Sequence, residues 1–594
     1  MTEPTSDKAT PAPTDIFAGE WTSALQKLSA AMENLAQRPP KLQPNRKYDP
    51  LEVVQTLADV GMAMARNPAD LMKRQMEAVG EWQKLWLSAW SGEKADEKLA
   101  LKPERGDRRF SDQEWEENPY YRQIKQAYLL ASRQLRGAVG SSDVPPPKRA
   151  MTQFLLEQFL NAIAPTNFVA TNPVAVRRTV ETGGANLVSG FANLLSDLGE
   201  GRGIIRRRTE GSYALGTEIA ATPGSVVFEN HLMQVIQYDP ATDQVRKRPL
   251  LYVPPLVNKY YMIDLRPKSS LIRWLVEQGH TVFVISWVDP DEDHRNCALD
   301  DYIRDGILTA MNAVADATGE QSMDFFGFCM GGTLIAITLA YLAARGELDR
   351  VGSATLIGAM VDFSDMRDWS AFVHESHFDA LNKHLGKKGY IDKTELQQLF
   401  SLVRANDLIW SSFVSHYLLD KDAPPSDLLQ WFEDGSHIPQ AFLESYNETL
   451  MLNNHLRDPG AVTLLGEKLD LTKVTTPIFL IALKDDHVSA WEAVYDGARL
   501  FGGPVRFIMG GSGHNAGVIN PPSANKHGYW TNDQLAETGQ KWLEGADKHP
   551  GSWWPEWAAW LAAQQGNPLV PARKVGEGRL SPIEPAPGRF VTGA

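Results

Sequence analysis

The sequence predicts an α/β fold whose parallel sheet occupies the second half of the chain. Three observations in its 594 residues support this prediction. Short apolar runs alternate with helical stretches from about residue 216, which is typical of a parallel sheet covered by helices on both faces. One of these runs leads directly into a glycine-rich turn and then a helix. Before residue 216 the apolar residues recur with helical periodicity instead.

The first third of the chain is expected to contain a tail followed by a helical domain. Residues 1–48 are rich in proline, threonine, alanine and charge, so we expect a disordered tail with one helix near residues 21–35. Residues 49–215 have helical periodicity interrupted by proline and glycine, and we interpret them as a helical N-terminal domain. Because no catalytic pattern is visible there, catalysis is assigned to residues 216–594.

Seven apolar runs in this catalytic domain are predicted strands. They cover residues 225–228, 250–253, 281–287, 323–328, 353–357, 477–483 and 504–509. Helices are predicted between them, for example at residues 270–277 and 301–317. After the last of these runs the chain is expected to return to the sheet through a helix at residues 532–543.

The glycine-rich turn at residues 327–331 reads Gly-x-Cys-x-Gly and carries a candidate nucleophile, Cys329. A strand leads into it and a helix leads out, which is the context that a nucleophile elbow requires. Glycine on both sides lets the strand and the helix approach each other without Cβ clashes. A free cysteine often packs as a small apolar residue, but this flanking pattern favours a nucleophile. The pattern indicates an α/β-hydrolase fold.

A nucleophile needs a base and an orienting acid, which in this fold follow it in the order acid, then histidine. The run at 477–483 is followed by Asp485, Asp486 and His487, and the run at 504–509 is followed by His514. His514 lies beyond both acids and follows glycines that suit a sharp turn, so it is the candidate base. His487 is predicted to line the pocket. The residues alone leave both Asp485 and Asp486 open as the acid.

The oxyanion hole is predicted from two backbone N–H groups. One belongs to Met330, the residue after the nucleophile, and the other should come from the loop after the strand at 250–253. That loop begins with two prolines, which have no N–H, so the donor is Leu256 or Val257. Asn258 on the same loop is a candidate for substrate contact.

The interval between Cys329 and Asp486 is much longer than one or two strand–helix units require. Within it, residues from about 362 to 455 are helical in pattern and rich in aromatic residues. We interpret this segment as a cap inserted over the active site, where it would exclude water and shape the entry channel.

Composition excludes several classes of protein. The net charge is −14, from 59 basic and 73 acidic residues, and there is no dense basic run, so a nucleic-acid partner is not expected. Cys297 and Cys329 are the two cysteines, which excludes a disulfide scaffold and suits a reducing cytoplasm. No leader pattern and no long uncharged apolar run are visible, so we expect neither secretion nor a membrane span.

Eight segments distributed over the chain carry a family resemblance. They are RFSDQEW at 109–115, PYY at 119–121, PTNFVATNP at 165–173, VPPLVNKYY at 253–261, EQGHTVFVISW at 277–287, GFCMGGT at 327–333, DDH at 485–487 and GSGHNAGVINPP at 511–522. From about Arg109 to its end, the chain resembles the class I polyhydroxyalkanoate synthases. The family's catalytic cysteine, aspartate and histidine fall on Cys329, Asp486 and His514. The family's Trp-Asn pair in the cap is Trp431-Phe432 here, a departure that concerns the cap and the dimer contact.

The resemblance implies polymerisation of (R)-3-hydroxyacyl-CoA, with short side chains such as 3-hydroxybutyrate, onto a growing polyester chain with release of CoA. It implies no metal and no cofactor, because the CoA thioester is the substrate. It also implies a homodimer in the cytoplasm at the surface of polyester granules, where phasin-type proteins are candidate partners. Ala516, shortly after the candidate base, is predicted to line the acyl pocket.

Three alternatives remain open. A cysteine-dependent thioesterase or hydrolase could use the same fold and triad, although the large helical domain and long cap count against it. A polyester depolymerase acting outside the cell would be expected to carry a leader. A non-catalytic granule-coat protein could use the tryptophan-rich faces of the chain. The residues without the resemblance support a cysteine-nucleophile acyltransferase or hydrolase.

Overall fold

A computed structural model describes residues 13–37, 68–91, 101–104, 107–199, 209 and 211–593. These residues form two compact units. The helical unit takes the described residues of Met1–Gly211 together with Gln398–Pro424. The sheet unit takes those of Ser212–Gln397 and Pro425–Ala594. None of the helices described has an apolar stretch long enough to cross a membrane.

The first part of the helical unit consists of α-helices, several of which begin with proline. Their bounds are Pro13–Gln37, Pro68–Ser91, Glu114–Glu117, Pro119–Gly140, Pro146–Ala162, Pro173–Glu181 and Ala185–Gly199. Proline suits the first helical position because its missing N–H would have no partner there. Asn118 and Asn172 cap the helices that follow them, each accepting a hydrogen bond from a backbone N–H of the first turn. Local sequence therefore fixes where these helices start.

The helix expected near residues 21–35 of the predicted tail is present, and the tail at residues 1–48 needs a correction in the length of this helix, which has 25 residues and runs over Pro13–Gln37. This helix buries Ala24 and Ala31, and the Trp21 indole donates a hydrogen bond to Gly183 O at 3.2 Å. The small buried residues let the helix lie against its neighbours. Residues 1–12 and 38–48 of the predicted tail lie outside the described residues.

The predicted cap at residues 362–455 also needs a correction, because residues 398–424 belong to the helical unit. Gly190 makes this possible, since a Cβ there would lie 2.0 Å from Tyr417 O. Asn186 donates to Leu418 O at 2.6 Å, and the Tyr417 hydroxyl donates to Asp197 at 2.7 Å. Helical periodicity does not reveal which unit a helix packs against. The boundary between the N-terminal helical domain and the catalytic domain was predicted at residue 215, and in the structure the first segment of the helical unit ends at residue 211.

The largest sheet in the described residues has eleven strands, numbered here β1 to β11 in chain order. They are Gly224–Glu229, Met233–Tyr238, Leu250–Val253, Val282–Trp287, Met323–Phe328, Val351–Ile357, Ile478–Leu483, Val505–Gly510, Tyr529–Thr531, Asp547–His549 and Glu584–Pro585. Their spatial order is β10-β9-β8-β7-β6-β5-β3-β4-β2-β1-β11. The six strands from β8 to β4 in this order are parallel, and those at both edges are antiparallel.

Helices cover this sheet, as the alternating pattern predicted. Those outside the cap are Leu271–Glu277, Leu299–Asp301, Tyr302–Leu308 (π-helical), Thr309–Thr318, Met330–Arg345, Trp491–Ala498, Gly539–Glu544, Trp554–Ala563 and Arg589–Thr592. Strands β3, β4, β5 and β7 are buried along their whole length. This is why they read as continuous apolar runs rather than alternating ones. All seven predicted strands are present within two residues of their predicted ends, which confirms the α/β-hydrolase fold.

The cap lies between β6 and β7. Its helical segments in the sheet unit are Arg367–Ala371, Glu375–Leu385, Asp427–Glu433, Gln440–Tyr446 and Asn447–Leu452. The inserted segments Asn406–Trp410, Ser411–Phe413 and Val414–Leu418 belong to the helical unit, and the helix Lys393–Val403 crosses the boundary at residue 398. Two short strands, Tyr390–Ile391 and Ile438–Pro439, pair within the cap.

The helix predicted at residues 532–543 is wrong in its first half, because the observed helix is Gly539–Glu544. The Asn532 side chain accepts a hydrogen bond from Gln534 N, which forms a turn instead. Thr538 then caps the helix by accepting from Lys541 N.

Candidate active site

Cys329 lies at the turn between β5 and the helix Met330–Arg345. Its backbone has φ 52° and ψ −129°, a conformation that costs a non-glycine residue about 1–3 kcal/mol. Its N–H donates to Ile357 O at the end of β6, at 2.8 Å. The turn therefore holds the thiol at the carboxyl edge of the parallel strands.

Glycines make this turn possible because their neighbours leave no room for side chains. A Cβ on Gly327 would lie 2.6 Å from Ile335 Cδ1, and one on Gly332 would lie 2.5 Å from Ala359 Cβ. At Gly331 the conflict is with backbone, since a Cβ would lie 2.0 Å from Val253 O. The close approach at Gly331 brings the loop after β3 against the turn that carries Cys329.

His514 follows β8 and is buried, with 6% of its surface exposed. Its Nδ1 lies 2.6 Å from Asp486 Oδ2, and its ring also interacts electrostatically with Cys329. Burial by itself lowers the pKa of His514, but the charges of Asp486 and Cys329, together with the hydrogen bond to Asp486, outweigh burial and raise that pKa to about 10. His514 is thus paired with Asp486 and lies within electrostatic range of Cys329.

Asp486 and Asp485 have different environments, and this separates the two candidate acids. The side chain of Asp486 has no exposed surface, and its Oδ1 accepts hydrogen bonds from Val488 N at 2.7 Å and Ser489 N at 2.9 Å. Its other oxygen faces His514. Asp485 is exposed to solvent. The geometry therefore supports Asp486 as the partner of His514.

The loop that was predicted to supply an oxyanion donor is fixed at two points. The Trp287 indole donates to Pro254 O at 3.0 Å, and Ser436 N donates to Val257 O at 3.0 Å. Among the residues that the structure describes, the N–H groups of Leu256 and Val257 have no acceptor, so both remain candidates. Met330 is the first residue of its helix, where an N–H has no intrahelical partner.

The other three residues predicted for the site, His487, Asn258 and Ala516, have different surroundings. The ring of His487 is 6.4 Å from the ring of His514 and nearly perpendicular to it. The Asn258 amide donates to Trp431 O at 3.4 Å and to Phe432 O at 3.3 Å, so it ties its loop to the cap. Ala516 is half-buried in the turn after His514. Substrate contacts of all three stay predictions.

Among the described residues, no group of three or more His, Cys, Asp or Glu side chains is arranged to hold a metal ion.

Comparison with known proteins assigns the chain to a family. The family described as "Poly-beta-hydroxybutyrate polymerase (PhaC) N-terminus" matches residues 106–275, and "alpha/beta hydrolase fold" matches residues 262–521. The chain is 40% identical to the poly(3-hydroxyalkanoate) polymerase of Methylorubrum extorquens, over 91% of this chain and 90% of that protein. It is also 40% identical to the poly(3-hydroxyalkanoate) polymerase subunit PhaC of Cupriavidus necator, over 88% of each chain. The chain belongs to the poly(3-hydroxyalkanoate) polymerase family.

Members of this family are acyltransferase-type enzymes, so the predictions of family and enzyme class are confirmed. In this polymerase-family chain, Trp431-Phe432 stands where the family has a Trp-Asn pair. The tryptophan of this pair contributes to the structure of the cap. Trp431 is 3% exposed, and its indole donates to Lys259 O at 2.8 Å. Phe432 is partly buried. The cap of this polymerase-family chain is thus joined to the loop after β3 through Trp431.

Two tyrosines beside Cys329 were missed by sequence reasoning. Tyr446 ends a cap helix, is 6% exposed and lies within electrostatic range of Cys329. Tyr252 is buried in β3. Burial, with a smaller contribution from the charge of Cys329, raises the pKa of both phenols above its ordinary value. Both are therefore neutral groups at the site. No sequence motif marks Tyr446, because it reaches the elbow through the packing of the cap.

Proposed function

We propose that this chain polymerises (R)-3-hydroxyacyl-CoA into poly(3-hydroxyalkanoate), with release of CoA, through a thioester on Cys329. The observation that carries the proposal is the buried Asp486–His514 pair, which interacts electrostatically with Cys329, in a chain of this polymerase family. Asp486 and His514 are the acid and base of the proposed triad. The alternatives are a cysteine-dependent acyl-CoA thioesterase or hydrolase and a non-catalytic granule-coat protein.

The first proposed step transfers the acyl group to the enzyme. His514 takes the Cys329 proton, and the thiolate attacks the thioester carbonyl of the substrate. The N–H of Met330 and that of Leu256 or Val257 stabilise the oxyanion, each by about 3 kcal/mol. CoA leaves as a thiol, because His514 returns the proton to its sulfur. Asp486 keeps the imidazole aligned throughout.

The second proposed step forms the polyester bond. The 3-hydroxyl of another acyl unit attacks the Cys329 thioester, and His514 accepts its proton and passes it to the departing Cys329 sulfur. Proton transfer of this kind contributes roughly 10²–10⁴-fold to the rate. Cysteine suits the reaction because exchange of one thioester for another leaves the acyl group activated. The later formation of an oxygen ester is then downhill.

We propose that the enzyme prefers substrates with short acyl chains, such as 3-hydroxybutyryl-CoA. Support comes from the matching family description, which names poly-beta-hydroxybutyrate polymerase. Ala516, Asn258 and His487 are the proposed contacts of the acyl group. Ala516 is half-buried two residues after the proposed base, where a larger side chain would narrow the space beside His514. No metal or cofactor takes part in the proposed reaction.

The proposed partner of the helical unit is the surface of the polyester granule, in the cytoplasm. All but three of the exposed large apolar side chains among the described residues belong to this unit. On the helix Pro68–Ser91, Met72, Met76 and Trp86 are 60–70% exposed. Exposed apolar groups of this kind mark interaction surfaces. We also propose that the chain forms a homodimer of the class I type, without a second kind of subunit. Phasin-type proteins are its proposed partners at the granule.

The decisive experiment gives purified protein 3-hydroxybutyryl-CoA and measures both CoA release and the acyl product. The expected product is insoluble polyester, whereas free hydroxy acid would identify a hydrolase. The Cys329→Ala variant is expected to lose CoA release, with Cys297→Ala as the matched cysteine control at wild-type rate. Full CoA release by Cys329→Ala would contradict the covalent mechanism, whereas no CoA release by the wild-type protein would favour the coat-protein alternative.

A further inference from the structure

The loop that carries His514 is a compact turn at residues 511–520. Gly517 N donates to Gly513 O at 2.8 Å, which closes the turn around His514. Gly517 has no space beside it, since a Cβ there would lie 2.6 Å from Leu483 Cδ2 at the end of β7. On this side, therefore, the loop rests directly on the end of the strand that precedes Asp486.

A tryptophan-rich segment at residues 551–554 supports the loop from another side. The Trp553 indole donates to Gly517 O at 2.9 Å, and the Trp554 indole donates to Val518 O at 3.0 Å. Both tryptophans are 0% exposed. The Asn520 amide adds a third link, to Gly551 O at 3.3 Å. Three hydrogen bonds thus connect the end of the loop to this segment.

The two indoles are themselves fixed by packing. Trp553 packs at 5.9 Å from the ring of Trp557, and a Cβ on Gly510 would contact Trp553 at 3.4 Å. Trp554 packs at 5.4 Å from the ring of Trp274. Buried indoles held in this way can place an N–H with little freedom. A buried carbonyl that lost its donor would be destabilised and would move towards another partner.

The position of His514 depends on where the loop carbonyls are held. Its ring must reach Asp486 on one side and Cys329 on the other, and misplacement of a catalytic group by about 1 Å can lower a rate by about 100-fold. We propose that Trp553 and Trp554 are positioning residues, whose indole N–H groups hold the loop so that His514 meets Asp486 and Cys329 together. The proposal rests on the proposed role of His514 as the base.

The experiment compares Trp553→Phe and Trp554→Phe with Trp557→Phe. Trp557 is the matched control, because it lies on the helix that Trp553 and Trp554 begin, is equally buried and donates its indole N–H to Thr355 Oγ1 in β6, away from the loop. The phenyl ring of Trp557→Phe keeps an aromatic ring against Trp553, so this variant removes a hydrogen bond that does not reach the loop. For the folded protein we expect kcat to fall about 10-fold in the first two variants, with KM changed by less than about 2-fold. In Trp557→Phe, kcat per folded molecule should stay close to that of the wild type.

A second readout separates positioning from a loss of stability. Alkylation of Cys329 by iodoacetamide, followed by peptide mass spectrometry, reports how well His514 promotes the thiolate. In Trp553→Phe and Trp554→Phe its pH profile should move to higher pH, while Cys297 in the same sample provides the internal reference. Replacing Trp553 with benzothienylalanine, which keeps the ring shape but has no N–H, should give the same shift if the Phe variant does not fold.

Unchanged kcat and an unchanged Cys329 alkylation profile in the folded variants would overturn the proposal. Equal losses in Trp557→Phe would overturn it too, because the effect would then belong to the helix and not to the loop. These outcomes differ from failure of the proposed function, which would appear as full CoA release by Cys329→Ala.

Discussion

The two sides of the candidate active site are held in place by different means. Cys329 is positioned by backbone packing, since the glycines around it leave no room for side chains and it makes no side-chain capping hydrogen bond. His514 is positioned by polar contacts, above all the 2.6 Å contact with the buried Asp486. We therefore expect the cysteine side to be impaired by substitutions that add side-chain volume. The histidine side should be impaired by substitutions that remove a charge.

The largest effect is expected from Gly331→Ala on the cysteine side. Its Cβ would lie 2.0 Å from Val253 O, and backbone on both sides cannot give way as the end of a side chain can. We expect CoA release below detection and a loss of about 3 kcal/mol in the free energy of unfolding. Steady-state kinetics and denaturant unfolding measure the two.

Gly137→Ala is the control for this prediction, because a Cβ on Gly137 meets nothing within 4 Å in its helix. It should raise stability by up to about 1 kcal/mol and leave activity alone. Wild-type activity in Gly331→Ala would show that the turn accepts an added side chain. Backbone packing would then not be what distinguishes the cysteine side from the histidine side.

The next largest effect is expected from Asp486→Asn on the histidine side. Removing the negative charge leaves His514 without the partner that aligns its ring, and changes of this kind lower kcat by about 10⁴-fold in a comparable triad. The measurement is kcat for CoA release. The adjacent, exposed Asp485→Asn is the matched control and should stay within about 2-fold of the wild type. The opposite ranking of the two variants would assign the acid to Asp485.

The difference between the cysteine side and the histidine side also explains which features of the site could be predicted from the sequence. The cysteine turn is local, so the glycines at 327–332 and the flanking strand and helix were enough to identify it. His514 and Asp486 could be placed because each follows a buried parallel strand, and such strands end at one edge of the sheet. These predictions depended on neighbouring residues and on a fixed chain order.

Features that depend on packing over long distances were missed. Strand β2 was not predicted, because Gln234 and Gln237 interrupt its apolar pattern although both side chains are buried. The membership of residues 398–424 in the helical unit follows from the close approach at Gly190, which no periodicity shows. Tyr446 reaches Cys329 only through the cap. Helix and strand patterns describe one element at a time, so contacts between distant elements stay hidden.

The last prediction is a pH dependence of stability that concerns the histidine side. The folded state raises the pKa of His514 from 6.5 to about 10, so the folded protein holds this proton more tightly than the unfolded chain. Its contribution to stability is therefore fully present below about pH 6.5 and is lost as the pH rises through about 10, with a slope of at most about 1.4 kcal/mol per pH unit. Urea unfolding at several pH values measures this slope. Asp486→Asn should flatten it, whereas Asp485→Asn should keep it. An equal slope in Asp486→Asn and the wild type would mean that the carboxylate does not hold the proton on His514, and the two sides of the site would then not differ in the way described.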